Sequence, residues 1–264
     1  MAAAAKTNQF MIGEATIMVG AMDKVFDLMP DKHGLGLTKN LAVRVETGSV
    51  DLTQGIAQVP VFSIQNQFNP SMACEVYEYT ARNLAYGLGL DATGAGYDPS
   101  VAGSAGPFTL TTPGAAAGTS VALTTGQGAT FAVGDWVILQ QSEDYVFAAM
   151  VTAKTTDTLT IDRAIPADVT FGVATTTVFR ARNIPAVAGQ NTFLSVKAIV
   201  IMPKDKRPVP LLFPKVRITR GFDLSTGASD YSNLPFEFQP YPLTPEDALY
   251  SSFAPGEVFK VLPQ

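Results

Sequence analysis

Polar and apolar residues alternate with a period of two along much of this chain, the pattern of strands covered on one face. After a flexible arm over 1–11, residues 12–20 read as a first strand. In 41–47, Leu41, Val43 and Val45 oppose Ala42, Arg44 and Glu46, which predicts a half-buried strand. In 58–66, Val59, Val61 and Ser63 oppose Pro60, Phe62 and Ile64. Asn69-Pro70-Ser71 then reads as a turn and 72–78 as a returning strand, so 58–78 is expected to form a long hairpin. Further strands are expected over Thr192–Met202, Val209–Thr219 and Asn233–Tyr241, the last with Phe236 and Phe238 on one face. Met29-Pro30-Asp31-Lys32-His33-Gly34 has turn chemistry. One segment carries convincing helical spacing: Thr80 as N-cap, a stripe of Ala81, Leu84, Ala85 and Leu88, and Gly89 closing it.

The pattern changes near residue 92. From Ala92 to Gly128 the chain is mostly Ala, Gly, Thr and Ser, which form no dense core alone. Strands resume over 131–139, 145–151, 158–162 and 176–182, enough for a small closed barrel or sandwich. The expected fold is mainly β: a discontinuous β-sandwich or barrel domain with one short helix, 1–94 and 186–264, interrupted by an inserted small β domain, 95–185. The tail 243–264 is too apolar to hang free and is expected to pack on its own domain or a neighbour.

Composition sharpens this reading. Of 264 residues, 47% are hydrophobic and only 16% charged, against roughly 25% charged in typical domains. So few charges, with 22 Gly and 18 Pro, favour strands and turns, and fit equally a surface partly covered by other subunits and an ordinary β protein with a bland surface. A net charge of -5 and the lack of any basic run argue against binding the phosphate backbone, and suit a surface past which nucleic acid slides. The single cysteine, Cys74, excludes an intrachain disulfide. Neither a signal peptide nor a run of 18 apolar residues is present, so folding in cytoplasm is expected.

Chemistry is sparse. His33, the only histidine, lies in a turn. Cys74 alternates with Met72 and Val76 and reads as a small buried hydrophobe. One His and one Cys exclude the common zinc sites. Glu75 and Glu78 flank Tyr77, and Glu143-Asp144 lie in a turn, but their spacing favours neither a glycosidase pair nor a calcium site. The glycines of Gly87–Gly96 follow a helix instead of opening one, as a phosphate loop requires. Trp136, after Gly134-Asp135, reads as core of the inserted domain. No catalytic residue, metal or cofactor is expected.

Four stretches resemble bacteriophage tail tube (major tail) proteins: Ile12–Gly20; Gly36–Glu46 with Leu52–Gly55; Glu75–Gly89; and Phe213–Thr219 with Leu234–Gln239. The insertion lies outside the resemblance, which otherwise covers most of 12–92 and 190–242. It implies a β-sandwich or barrel flanked by one helix. It also implies hexameric rings, joined edge to edge and stacked into a virion tail tube assembled in the host cytoplasm. The implied partners are other copies, tail terminator and baseplate or tip proteins. A tape-measure protein and then double-stranded DNA would pass through the lumen without sequence-specific binding. The apolar residues on both faces of 58–78, Phe62, Ile64, Val76 and Tyr77, are expected at the subunit interface. The insertion is expected outside the tube and dispensable, which favours a non-contractile tail, with Trp136 and Tyr145 available for weak contact with glycans. The alternatives are a capsid decoration or receptor- or glycan-binding β-sandwich module, and a carbohydrate-active enzyme.

Overall fold

A computed structural model of the chain describes residues 15–54, 59–92, 106–143, 145–181, 183–184, 192–202, 206–223 and 232–263. The fold is mainly β, with antiparallel sheets and, among the described residues, two short α-helices. It divides into two compact units: a main unit of Met1–Pro99 with Ala186–Gln264, and an inserted unit of Ser100–Pro185. The 1–11 arm and most of the 92–105 linker lie outside the described residues.

The main unit is one sheet. Its strands are β1 (Ala15–Ala21), β2 (Thr38–Gln54), β3 (Val59–Val76), β10 (Leu194–Ile201), β11 (Pro208–Arg220), β12 (Leu234–Pro240) and β13 (Lys260–Val261). They run in the order β1-β10-β11-β12-β3-β2, with β13 pairing β11 beside β12. At one end the edge strands approach each other: the Thr38 hydroxyl donates to the Ala15 carbonyl at 2.8 Å, and the sheet is curled into a half-barrel. One face carries the core, including Met72, Cys74, Val76, Val216, Ile218, Leu234, Phe236 and Phe238, all buried. Phe236 and Phe238 stack at 5.7 Å. The C-terminal segment packs on its own unit through Val25, Leu212, Leu243 and Phe253.

The helix α2 (Ala81–Gly87) begins where expected, with Thr80 Oγ1 accepting from the Asn83 amide at 3.1 Å. Gly89, at φ 77°, ends it: its amide donates to the Tyr86 carbonyl and the Leu90 amide to that of Ala85, among the last carbonyls of the helix. The buried face differs from the apolar stripe. Arg82, Asn83, Ala85 and Tyr86 are buried, whereas Ala81 is exposed and Leu84 and Leu88 are half-buried. The polar members can turn inward because main-chain carbonyls meet them. Arg82 donates to Lys32, Asn83 to Leu35 and Glu78, and the Tyr86 hydroxyl to Val19. The turn-like 29–34 segment holds a single helical turn, α1 (Pro30–His33), with Pro at its start.

Three strand expectations change. Asn69-Pro70-Ser71 is no turn: β3 runs unbroken for 18 residues, and its hairpin partner is the 17-residue β2. Pro70 is tolerated because the N–H and C=O of a strand residue point to the same side. Its carbonyl accepts from the Gln239 side chain at 2.8 Å, away from β2, and β12 pairs β3 no further than Met72. The missing N–H therefore costs no ladder bond. The half-buried pattern of 41–47 stops at Val43; from Arg44 onward the side chains of both faces are exposed. The Ala/Gly/Thr-rich stretch, for its part, contributes strands and core residues.

The inserted unit is a six-stranded sheet of β4 (Phe108–Thr109), β5 (Ser120–Ala122), β6 (Trp136–Gln140), β7 (Val146–Thr155), β8 (Thr158–Ile161) and β9 (Thr177–Ala181). Its order is β4-β9-β6-β7-β8-β5. A bridge between Leu110 and Leu123, next to β4 and β5, joins the two ends and closes the sheet on itself. Phe108, Leu110, Val121 and Leu123 from the low-complexity stretch enter the core beside Phe131, Leu139, Val151 and Phe171. Trp136 does not: Val137 and Leu139 take the inward positions of β6, leaving Trp136 half-buried on the other face.

Candidate assembly surface

The register of β2 on β3 runs from Thr38 opposite Val76 to Gln54 opposite Val59. At its base the pair belongs to the sheet. Beyond Met72, β12 stops and no strand among the described residues flanks β3; β2 is the edge strand of the sheet. What continues is a two-stranded ribbon, 44–54 with 59–69, roughly 37 Å long at about 3.4 Å per residue. Side chains are exposed from Phe62 through Asn69 and from Arg44 through Asp51, with Gly48 half-exposed.

Register shifts mark three points on the pair. The first lies near Asn40, which takes a left-handed φ of 54°. The second is a bulge: Gln67 pairs with Gly48 and Gln65 with Ser49, so Asn66 is extra. Asn66 and Gln67 crowd the same spot. A Cβ on Gly48 would lie 3.0 Å from Asn66 Oδ1 and 3.0 Å from Gln67 Cβ. The third lies between Leu52 and Thr53.

The expected interface residues do not share a surface. Phe62 is 59% and Ile64 56% exposed, and they sit with Val50, the direct partner of Ile64. Val76 is fully buried in the core of its own unit, so the expectation that it meets a neighbour is corrected: it has no surface to offer. Tyr77, at the same end, is half-buried. Its hydroxyl donates to Glu75 at 2.9 Å and its ring lies under Lys39. Hydrogen bonds from Asn40 and Tyr77 hold the Glu75 carboxyl below its ordinary range, with Lys39 adding to the effect. Val45, Val50 and Phe68 are exposed members of the ribbon that sequence reasoning missed. The available signal was Gly55 between two β-rich runs, which would have paired 38–54 with 59–76.

Other candidates are held in structural roles. Burial, reinforced by Glu75, pushes the Cys74 thiol up to about 12, so at neutral pH it is a protonated, packed side chain and not a thiolate. His33 Nδ1 accepts from the Met29 amide at 3.1 Å. Glu78 accepts from the Leu37 amide at 2.9 Å. Glu143 is exposed in a bend and Asp144 lies outside the described residues. No group of three or more His, Cys, Asp or Glu suited to a metal occurs among the described residues, and no helix there is long and apolar enough to cross a membrane. In the inserted unit the Arg163 guanidinium lies 5.3 Å from the Trp136 ring centre, capping the indole. Tyr145 is exposed beside a shallow recess lined by Gln141, Ser142, Asp168 and Thr175, with its ring 6.0 Å from Phe171.

No protein-family model matches the chain, and no curated protein matches it.

Proposed function

We propose that this chain is a structural subunit that assembles with copies of itself, and that the assembly is a bacteriophage tail tube of stacked hexameric rings. The ribbon carries the reading. A two-stranded hairpin is marginal by itself in water, and open strand edges beside exposed Val45, Val50, Phe62, Ile64 and Phe68 are what folded chains avoid unless another chain covers them. Each of these side chains is about half covered already, so finishing its burial contributes on the order of 1 kcal/mol. Five of them give about 5 kcal/mol, near the low end of the cost of associating two bodies. One such contact is weak. A closed ring, in which every subunit both gives and receives, multiplies it. The tail-tube identity rests on the sequence resemblance, as do the hexamer, the tail terminator and tip partners, and the passage of a tape-measure protein and DNA. The net charge of -5 suits that passage.

The inserted unit, closed on itself with its own core, is accessory in this reading. Electron microscopy of the purified chain tests the proposal: rings or tubes are expected. A chain that sediments as monomer at every concentration and is absent from tail fibrils overturns it.

A further inference from the structure

The recess beside Tyr145 in the inserted unit lies between the turn that joins β6 to β7 and the segment that follows β8. Gln141, Ser142 and Tyr145 line one side, and Asp168, Thr170 and Thr175 the other, around a cavity of about 570 Å³. Main-chain hydrogen bonds fix both sides. The Gln141 amide donates to the Tyr145 carbonyl at 3.0 Å, and the Tyr145 amide to the Ser142 carbonyl at 3.2 Å. Phe171 and Gly114 exchange bonds at 2.9 and 3.0 Å, and the Thr175 and Thr176 amides donate to the Gly172 carbonyl. Phe171 is core. The Tyr145 ring leans on it, with centres 6.0 Å apart, and Tyr145 is still 43% exposed. The ring is thus held from one side and open to water from the other. Around it, the exposed side chains of Gln141, Ser142, Asp168 and Thr170 make no hydrogen bond or ion pair among the described residues. The described lining contains no lysine or arginine.

We propose that this recess binds a neutral pyranose sugar, stacked on Tyr145 and hydrogen-bonded by Gln141, Ser142, Asp168 and Thr170. The inference is independent of the self-assembly reading above. A pyranose ring pairs a face of C–H groups with a rim of hydroxyls. The C–H groups, slightly positive, suit the negative face of an aromatic ring, and each rim hydroxyl both donates and accepts. The recess matches both halves. The Asp168 carboxylate takes hydroxyl donors, the Gln141 amide supplies two donors and an acceptor, and the Ser142 and Thr170 hydroxyls serve either way. Its volume falls within the roughly 300–1,000 Å³ of small-ligand sites. A carboxylate with no cation beside it repels phosphates, sulfates and acidic sugars, which leaves neutral ones. Trp136 is not an equivalent platform: Arg163 caps its indole at 5.3 Å and is itself held by Asp162 at 2.8 Å. A recess this shallow covers only part of a sugar, so the expected dissociation constant is about 1 mM.

Saturation-transfer NMR on the full chain tests the proposal, because it reads weak binding to monomer and polymer alike. The probes are the methyl glycosides of glucose, galactose, mannose and N-acetylglucosamine. Transfer to the ring C–H protons of at least one of them is expected. It is expected to disappear in Tyr145→Ala and to survive in Tyr145→Phe, which keeps the ring. Asp168→Asn is expected to raise the dissociation constant about tenfold through the loss of a charge-assisted hydrogen bond. Asp168 is exposed, so this variant keeps the test decisive should Tyr145→Ala disturb Phe171. No transfer to any of these glycosides from the parent chain overturns the proposal. Equal transfer from the parent, Tyr145→Ala and Asp168→Asn puts the sugar elsewhere and also overturns it. Glucose 6-phosphate binding more tightly than methyl glucoside overturns the neutral-sugar assignment.

Discussion

The inserted unit and the β2–β3 ribbon are both antiparallel hairpin structures rich in Val and Phe, yet they treat their apolar residues in opposite ways. In the inserted unit each strand finds neighbours, the Leu110–Leu123 bridge closes the sheet, and Phe108, Phe131 and Phe171 are buried. In the ribbon no third strand of the described residues arrives after Met72, and Phe62 and Phe68 stay exposed. The side chains are the same in kind. Closure of the sheet decides whether a phenylalanine holds the monomer together or remains for another chain to cover.

The largest expected effect breaks that contrast at its two ends. Phe171→Ala in the inserted unit and Phe236→Ala in the main core each cost roughly 3–5 kcal/mol. Phe62→Ala changes the stability of the unassembled chain by less than about 0.5 kcal/mol. Urea denaturation below the assembly concentration compares all three. A Phe62→Ala loss as large as that of Phe236→Ala would place the ribbon inside the monomer.

A second comparison sets the helix against the sheet it covers. A Cβ on Gly87 would lie 2.4 Å from the Gly221 carbonyl oxygen, and one on Gly221 would lie 2.6 Å from Gly87 Cα. Gly87→Ala is therefore expected to cost about 1–3 kcal/mol through backbone displacement, read by thermal unfolding. Thr80→Ala, which removes the N-cap of α2, is expected to cost about 1 kcal/mol in the same experiment, and Thr80→Ser to restore most of it.

The smallest effect lies at the C-terminal segment. Asp247 accepts from Lys215 at 2.9 Å and from the Thr244 amide and hydroxyl. Burial opposes the charge, but these donors outweigh it and hold the carboxyl below its ordinary range. A folded-state value below the unfolded one, about 3.9, means that this stabilisation is present above pH 4 and fades as pH falls through the lower folded value. Hydrogen exchange over 241–253 is expected to quicken below about pH 4, and Asp247→Asn to remove part of that dependence. An unchanged acid profile in the variant would show that the ion pair is idle.

The sequence by itself determined the β character, the helix with its Thr80 cap and Gly89 stop, the shared face of Phe236 and Phe238, and two apolar residues of the ribbon, Phe62 and Ile64. These follow from local rules: periodicity, capping and turn chemistry act within a few residues. The fates of Val45, Pro70, Val76, Arg82 and Trp136 depended on partners far along the chain. Pro70 passes as a strand residue because β12 ends beside it. Val76 is core because Leu234 and Thr38 flank it across the sheet. Arg82 is buried because the Lys32 carbonyl meets it, and Trp136 turns outward because Val137 and Leu139 fill the barrel. Phe62 and Phe68, both even-numbered, fall on opposite faces of the ribbon because of one unpaired residue, Asn66, whose extra place appears only once both strands are in register. Alternation fixes a face relative to its own strand, and only the pairing of strands fixes which face is inside.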